Sequence, residues 1–376
     1  MPEVVAVTAH PTPAFLDEVR RVWDHGDALL PVDPRLPRPA VAALCDRLAP
    51  TVVVDPDGGR RRRPDGRGAA VGDALVVATS GSTGTPKGVV LTHDALRAAS
   101  TAVSARLEVD PDHDRWLACL PLAHVGGLGV VIRALHTGTP LELAPRPDRT
   151  HLEAALRRGA TLTAVVPTVL TRVDTSGFRR VLVGGAAPPE GLPDNVVTTW
   201  GMTETAGGIV YDGRPLDAVA VREVDGRLWV RAPMLLRAYR GGDGDDGGDV
   251  DPRDGDGWFD TGDAGVCTPE GTVVVHGRVG DLIVTGGENV WPATVEPVLA
   301  DHPSVTEVAV VGRPDPEWGA LVTAVVVPTD PGRPPTLDEL RDHVRRVLPA
   351  HAAPRRLELV DALPRTLVGK VRRTEL

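Results

Sequence analysis

Residues 13–24, PAFLDEVRRVWD, set Phe15, Leu16, Val19, Val22 and Trp23 at the spacing of one helix face, with charges between them. A second short helix is expected over 39–48, and Thr51–Val54 has the pattern of a buried strand. From Ala74 the pattern alternates. ALVVATS (74–80) predicts a strand, a glycine-rich loop follows, and a helix is expected from about Thr92. Strand-like runs recur at 116–120, 140–144, 162–166, 180–183 and 196–200, with helical segments such as 129–137 and 151–159 between some of them. This alternation predicts an α/β fold with a largely parallel sheet.

After Tyr211 the texture changes. VAVREVDGRLWVRA (219–232) has period-two stretches around Asp225-Gly226, a hairpin signal that predicts a β-rich subdomain. In the last block, from about Arg278, Pro292 suits a helix start and strands are expected at 305–311 and 321–327. Thr336 with Glu339 forms a capping box for one more helix. The expected organisation is a large N-terminal domain, 1–277, and a small α+β C-terminal domain, 278–376.

Composition narrows the function classes. With 42% apolar and 24% charged residues over 376 positions, the chain is not a disordered one. A net charge of −10 argues against a nucleic-acid partner bound through phosphate neutralisation. No apolar run approaches the roughly 20 residues of a membrane helix. The start MPEVVAVTAHPTP lacks a basic segment leading into an apolar core, so no export signal is expected. Cys45, Cys119 and Cys267 have no paired spacing, which fits reduced thiols in a cytoplasmic protein rather than a metal site. Oligomeric state is not encoded legibly. Two charged stretches, GGRRRRPDGRG (58–68) and GGDGDDGGDVDPRDGDG (241–257), are expected to be solvated loops; the second lacks the register and closing Glu of a calcium loop. Of 41 basic residues only two, Lys87 and Lys370, are lysines. A lysine kept against such an arginine bias marks a place where a compact ammonium cannot be exchanged for a planar fork.

The densest chemistry lies in Thr79-Ser-Gly-Ser-Thr-Gly-Thr-Pro-Lys-Gly-Val89. Its glycines let the backbone approach phosphate oxygens, its hydroxyls donate to them, and Lys87 adds charge. It is not a Walker A loop, because Gly88 follows the lysine. This stretch resembles the phosphate loop of the adenylate-forming, or AMP-binding, superfamily of acyl- and aryl-CoA synthetases. Other motifs resembling that family follow in its order: Val183-Gly-Gly-Ala-Ala-Pro188, Trp200-Gly-Met-Thr-Glu-Thr205 with Trp in the usual Tyr place, Thr261-Gly-Asp263, Gly277-Arg278, Gly286-Gly-Glu-Asn289 and Pro364-Arg-Thr-Leu-Val-Gly-Lys370. Both lysines fall on family lysine positions.

The resemblance implies a reaction: ATP and Mg²⁺ convert a carboxylate to an acyl-adenylate, and coenzyme A takes the acyl group. It implies that Thr79, Ser80, Gly81, Ser82, Thr83, Gly84 and Lys87 hold phosphates, and that Gly185, Ala186, Trp200 and Gly201 flank the adenine and acyl sites. Glu204 binds the metal, Thr203 the α-phosphate, Asp263 the ribose, Arg278 ribose or phosphate oxygens, and Lys370 bridges the two reacting anions. A hinge follows Arg278, with Gly280 where relatives often carry Asp or Lys. Leu120-Pro-Leu-Ala-His-Val-Gly-Gly127 occupies the segment that gates the acyl pocket, with Ala123 where many relatives have Phe or Tyr. The implied pocket is His124, Thr168, Gly207 and Gly208. TETAGGIVYDGRPLD (203–217) and ALLPVDPRLP (28–37) resemble runs of short actinobacterial o-succinylbenzoate–CoA ligases of menaquinone synthesis. That acid carries a second carboxylate, for which Arg214, Arg133 and His124 are candidates. The alternatives are another aryl- or medium-chain acyl-CoA ligase, or an enzyme loading a free-standing carrier protein.

Overall fold

A computed structural model of the chain describes residues 1–55, 57–80, 86–186, 191–241, 248–365 and 371–376, with the side chains of Ser80 and Pro86 outside the description. The chain divides into two compact units, Met1–Val221 with Val230–Phe259, and Arg222–Trp229 with Asp260–Leu376.

The first unit opens with β1 (Val4–Thr8), α1 (Pro13–Asp24), β2 (Ala28–Val32), α2 (Arg38–Leu48), β3 (Val52–Val54), β4 (Arg60–Arg62), β5 (Asp73–Ser80), β6 (Pro86–Thr92) and α3 (His93–Arg106). Helix α1 covers the predicted span, with the Thr12 hydroxyl accepting from Phe15 N at its start. β1 pairs in parallel with β2 and β3, and β2 with β5. Buried on both faces, β1 and β2 are continuous apolar runs without alternation, which is why a period-based reading passes over β1. Two further departures matter. β4 lies inside the basic stretch and pairs with β3. Its arginines meet carboxylates: Arg60 with Glu18, Arg61 with Asp55, Arg62 with Glu3, and the adjacent Arg63 with Asp46 and Asp65. β6 stands between the glycine-rich segment and α3 and pairs antiparallel with β5, so that Thr79 faces Lys87.

There follow β7 (Trp116–Ala118), α4 (Val125–Thr137), β8 (Leu141–Leu143), α5 (Arg149–Arg157), β9 (Leu162–Val165), α6 (Pro167–Leu170), β10 (Arg180–Val183), β11 (Val196–Met202), β12 (Gly207–Tyr211) and β13 (Arg214–Pro215). They form a second sheet in the order β13-β12-β11-β10-β9-β7-β8. Its five strands from β11 to β8 are parallel, as the alternation predicts, and close over a core that includes Leu117, Leu152, Val165, Phe178 and Val181. β12 and β13 add antiparallel strands through a turn at Asp212-Gly213, both residues with positive φ.

β14 (Ala220–Val224), β15 (Arg227–Arg231), β16 (Ala238–Arg240), β17 (Phe259–Cys267) and β18 (Val273–Arg278) come next. The Asp225-Gly226 turn joins β14 to β15 with φ of 51° and 74°, as its sequence predicts. β14, β15, β17 and β18 make a four-stranded sheet, while β16 completes the first sheet in the order β16-β6-β5-β2-β1-β3-β4. In β16 the Arg240 side chain is 2% exposed and donates to the carbonyls of Leu48 (2.7 Å), Gly68 (2.8 Å), Ala49 (3.0 Å) and Arg67. Burial lowers its pKa to about 10, so it stays charged at neutral pH. A Cβ on Gly88, its partner in β6, would lie 2.8 Å from Val76 Cγ1, so the glycine after Lys87 serves close packing. Arg240→Met strands these carbonyls and is expected to cost about 4 kcal/mol, read as a lower urea midpoint. Arg240→Lys recovers only part of this, since one ammonium cannot span four acceptors.

Trp23 of α1 lies between His93 (5.5 Å, edge-on) and His136 (5.9 Å, stacked), and His136 Nδ1 pairs with the Ser100 hydroxyl at 3.0 Å. Burial, aided by the charge of Arg97, holds both imidazoles below their ordinary value of 6.5. The folded state therefore binds fewer protons than the unfolded one. Their stabilising contribution is complete above pH 6.5 and is lost as pH falls through it. The urea midpoint is expected to drop between about pH 7 and 5, and His93→Gln/His136→Gln to flatten that drop.

The second unit continues with β19 (Ile283–Thr285), β20 (Glu288–Val290), α7 (Pro292–Ala300), β21 (Val305–Asp315), β22 (Gly319–Pro328), α8 (Leu337–Arg345) and β23 (Arg356–Leu359). One sheet, β20-β19-β22-β21 with β23 against β22, packs on the two helices through Val295, Leu299, Val310, Val322, Leu340 and Val344. Pro292 starts α7, and Thr336 and Glu339 cap each other reciprocally, as expected. The four-stranded sheet groups largely with these residues, and residue 278 is the last of β18. Among the described residues no helix is long and apolar enough to cross a membrane.

Candidate active site

In open α/β sheets, ligands collect at the C-terminal ends of the parallel strands. The second sheet sends most of the predicted residues of the first unit there. After β7 the chain reaches His124, which occupies the N-cap position of α4. Thr168 is the second residue of α6, just beyond β9, Gly185 and Ala186 follow β10, and Trp200 and Gly201 lie near the end of β11. Thr203–Thr205 form a single 3-10 turn after β11.

That turn is closed tightly. A Cβ on Gly201 would sit 2.1 Å from Gly207 O, so only glycine fits. Thr205 is fully buried; its hydroxyl accepts from Met202 N at 2.9 Å and lies 2.6 Å from Gly207 O. Ala206 and Gly207 then take positive φ. Closure from inside leaves Thr203 and Glu204 half-buried at the outer side of the turn. The Glu204 carbonyl accepts from Leu236 N (2.7 Å), and its Oε1 accepts from the Tyr239 hydroxyl (2.8 Å). Lys87 Nζ stands 5.4 Å from the centroid of the same Tyr239 ring. The metal carboxylate and the loop lysine expected from sequence thus meet at one tyrosine. Sequence reasoning missed Tyr239, because its pairing with Glu204 spans 35 positions and no spacing rule links them. Thr79 Oγ1 donates to Lys87 O at 3.3 Å across the β5–β6 pairing. Gly81, Ser82, Thr83, Gly84 and Lys370 lie outside the described residues, as does the Ser80 side chain.

Around the expected acyl pocket, His124 Nε2 lies 3.4 Å from Oδ2 of Asp33, which is 4% exposed. Burial acts to raise the Asp33 carboxyl, but hydrogen bonds from Arg35, with the charges of Arg35 and His124, hold it below its ordinary value. Gly207 and Gly208 begin β12; Gly208 backs onto Thr199 and Tyr211, where a Cβ would come within 2.9 Å of Thr199. Thr168 is exposed, and Arg214 is exposed on the edge strand β13.

Arg133 differs from Arg214. It is 8% exposed within α4, its guanidinium carbon 5.0 Å from the Trp116 ring centroid. Among the described residues no carboxylate pairs with it and its Nε has no hydrogen-bond partner. Burial pushes its pKa down, partly opposed by Tyr211. The position that a Cβ of Gly129 would take is 3.7 Å from Arg133 Nη1 and 3.9 Å from Ala206 O, so Gly129 of α4 lies close both to this cation and to the residue that follows the Glu204 turn.

In the second unit, Asp263 of β17 faces Arg278 of β18. Arg278 Nε is 2.9 Å from Asp263 Oδ1, and its Nη1 donates to Thr261 O at 2.7 Å. Gly262 takes φ of 70° between Thr261 and Asp263. Among the described residues no cluster of three or more metal-ligating side chains occurs. One carboxylate on a turn still suits Mg²⁺, which keeps waters and substrate phosphates in its shell. The Cys119 thiol, buried and pushed up to about 11, is inert as a nucleophile.

The AMP-binding enzyme family matches residues 70–240, and the AMP-binding enzyme C-terminal domain matches 294–370. A probable 2-succinylbenzoate–CoA ligase of Mycobacterium tuberculosis is 39% identical over 327 residues, 81% of this chain and 83% of that protein. The chain belongs to the AMP-binding enzyme family. A 2-succinylbenzoate–CoA ligase of Bacillus cereus is 33% identical over 341 residues, 80% of this chain and 69% of that one. Among solved structures, the Bacillus subtilis o-succinylbenzoate CoA synthetase in complex with the acyl-adenylate intermediate OSB-AMP shares the fold. It has a TM-score of 0.86 at 24% identity over 99% of this chain and 87% of that one. Wild-type E. coli MenE with a bound m-phenylether-linked analogue of OSB-AMS gives 0.76 at 27% identity over 100% and 87%. These AMP-binding enzymes have the α/β architecture that the alternating pattern predicts.

Proposed function

We propose that this AMP-binding enzyme is an ATP-dependent acid–thiol ligase that converts o-succinylbenzoate to its CoA thioester in menaquinone synthesis, in the cytoplasm. The substrate choice rests on Arg133. A guanidinium sealed from water, with no carboxylate partner among the described residues, is a costly arrangement in the ligand-free protein. A dicarboxylic acid removes that cost by placing its unactivated carboxylate there. Arg214, on an exposed edge, gains less from such a pairing.

In the first step a carboxylate oxygen attacks the α-phosphorus of ATP, the bond to the bridging β-phosphate oxygen breaks, and pyrophosphate leaves. Both partners are anions, so the step calls for charge neutralisation and alignment more than for a base. Lys87 and the hydroxyl-rich loop bind phosphate oxygens, Thr203 holds the α-phosphate, and Lys370 bridges it to the carboxylate. Mg²⁺, held by Glu204 and the ATP phosphates, supplies further positive charge. Asp263 accepts the ribose hydroxyls, and Arg278, paired with it, fixes its carboxylate. In the second step the CoA sulfur attacks the acyl carbon, the bond to AMP breaks, and the thiol proton is released. His124, steadied by Asp33, gates the acyl pocket. We place the functional boundary at residues 277 and 278, with Val279–Asp281 as the hinge that exchanges Lys370 for the thiol; Gly280 absorbs the backbone change.

A pyrophosphate-release screen over carboxylic acids, with and without CoA, tests the reading. Pyrophosphate and AMP are expected with o-succinylbenzoate, and its thioester only when CoA is present. Release of ADP or phosphate, or a preference for monocarboxylic acids, contradicts it.

A further inference from the structure

We propose that Tyr239 is a positioning residue for the charges that meet ATP phosphates: its hydroxyl fixes the Glu204 carboxylate for a divalent cation while its ring keeps Lys87 apart from Glu204. The inference rests on the metal role proposed for Glu204. Two observations carry it. The phenol donates to Glu204 Oε1 at 2.8 Å, and the Lys87 ammonium stands 5.4 Å from the centre of that same ring. Glu204 and Lys87 have opposite charges and share one neighbour, yet no ion pair joins them among the described residues. A direct pair would neutralise the two groups that have to face metal and phosphate.

Each part of the side chain has its own task. The hydroxyl takes one lone pair of Oε1 and so fixes the orientation in which the carboxylate meets the cation. It also removes rotamer freedom that Glu204 otherwise loses only when the cation arrives. Partners of this kind orient a ligating carboxylate, and their removal weakens metal affinity about tenfold or more. The ring face offers the ammonium an attractive surface without a counter-charge. β16 supplies this side chain from the first sheet, beside β6 with Lys87, whereas Glu204 follows β11 of the second, so Tyr239 links the metal carboxylate to the strand that carries Lys87.

The test is a calorimetric titration of Mn²⁺ into full-length enzyme with a nonhydrolysable ATP analogue, for wild type, Tyr239→Phe, Glu204→Gln and the double variant. Tyr239→Phe keeps the ring and is expected to weaken Mn²⁺ binding about tenfold, with the unfolding midpoint and metal-free nucleotide affinity unchanged. In the Glu204→Gln background the same change is expected to have no further effect. Tyr239→Leu, which also loses the ring, is expected to weaken metal-free nucleotide binding as well, because Lys87 is freed to pair with Glu204. Wild-type Mn²⁺ affinity in Tyr239→Phe, or an equal loss with and without Glu204, overturns the role of Tyr239 while leaving the metal assignment standing. If Glu204→Gln itself binds Mn²⁺ like wild type, the metal reading falls first and this inference with it.

Discussion

Lys370→Ala is expected to slow acyl-adenylate formation by about 10²–10³-fold, while thioester formation from supplied acyl-adenylate falls less than about tenfold. The asymmetry follows from the charge balance. Two anions approach in the first half-reaction, and an ammonium between them lowers the barrier directly. In the second half-reaction a thiol meets an activated carbonyl, and that ammonium has no comparable charge to neutralise. The composition sharpens the expectation: 39 of 41 basic residues are arginine, yet this position is lysine. Lys370→Arg is therefore expected to restore little, since a guanidinium is broad, rigid and poorly suited to sit between two reacting groups. Pyrophosphate burst amplitudes and single-turnover thioester formation separate the half-reactions, and equal loss in both contradicts the assignment.

Arg133→Met is expected to act in opposite directions on activity and stability. Removing one member of a buried charge pair costs about 3–5 kcal/mol, so kcat/KM for o-succinylbenzoate should fall about 10²–10³-fold. The thermal midpoint of the ligand-free protein should rise or hold, because a buried charge with no carboxylate partner among the described residues has been replaced by an apolar side chain of similar length. Monocarboxylic aromatic acids lack the second carboxylate, so the variant is expected to process them no worse than wild type does. Steady-state kinetics with matched mono- and dicarboxylic acids, alongside thermal unfolding, give both signs in one set of samples. A lower midpoint with unchanged acid preference would return Arg133 to a purely structural role.

Much of this arrangement was legible in the sequence, and the rest was hidden for identifiable reasons. Helices with one apolar face, such as Pro13–Asp24, and capped ones, such as Leu337–Arg345, declare themselves through local chemistry. So does the Asp225-Gly226 turn. β1 did not, because a strand buried on both faces loses its alternation, and β6 did not, because the glycine-rich segment before it suggested a loop running straight into a helix. At the site, Glu204 and Lys87 stood out by motif and scarcity. Tyr239 and the pairing of Asp33 with His124 depend on contacts between distant segments, which periodicity cannot carry. Arg133 could be named from the sequence beside Arg214 and His124, but ranking the three required burial. Only a folded chain separates a sealed arginine in α4 from one on an exposed edge.

The most direct test is a crystal structure with a sulfamoyl-linked adenylate mimic of o-succinylbenzoate. The sulfamoyl group is expected beside Thr203 and Glu204, at the C-terminal ends of the parallel strands, with the free carboxylate against Arg133. A mimic bound away from that turn, or one whose free carboxylate faces solvent with Arg133 still enclosed by Trp116, would contradict this expectation.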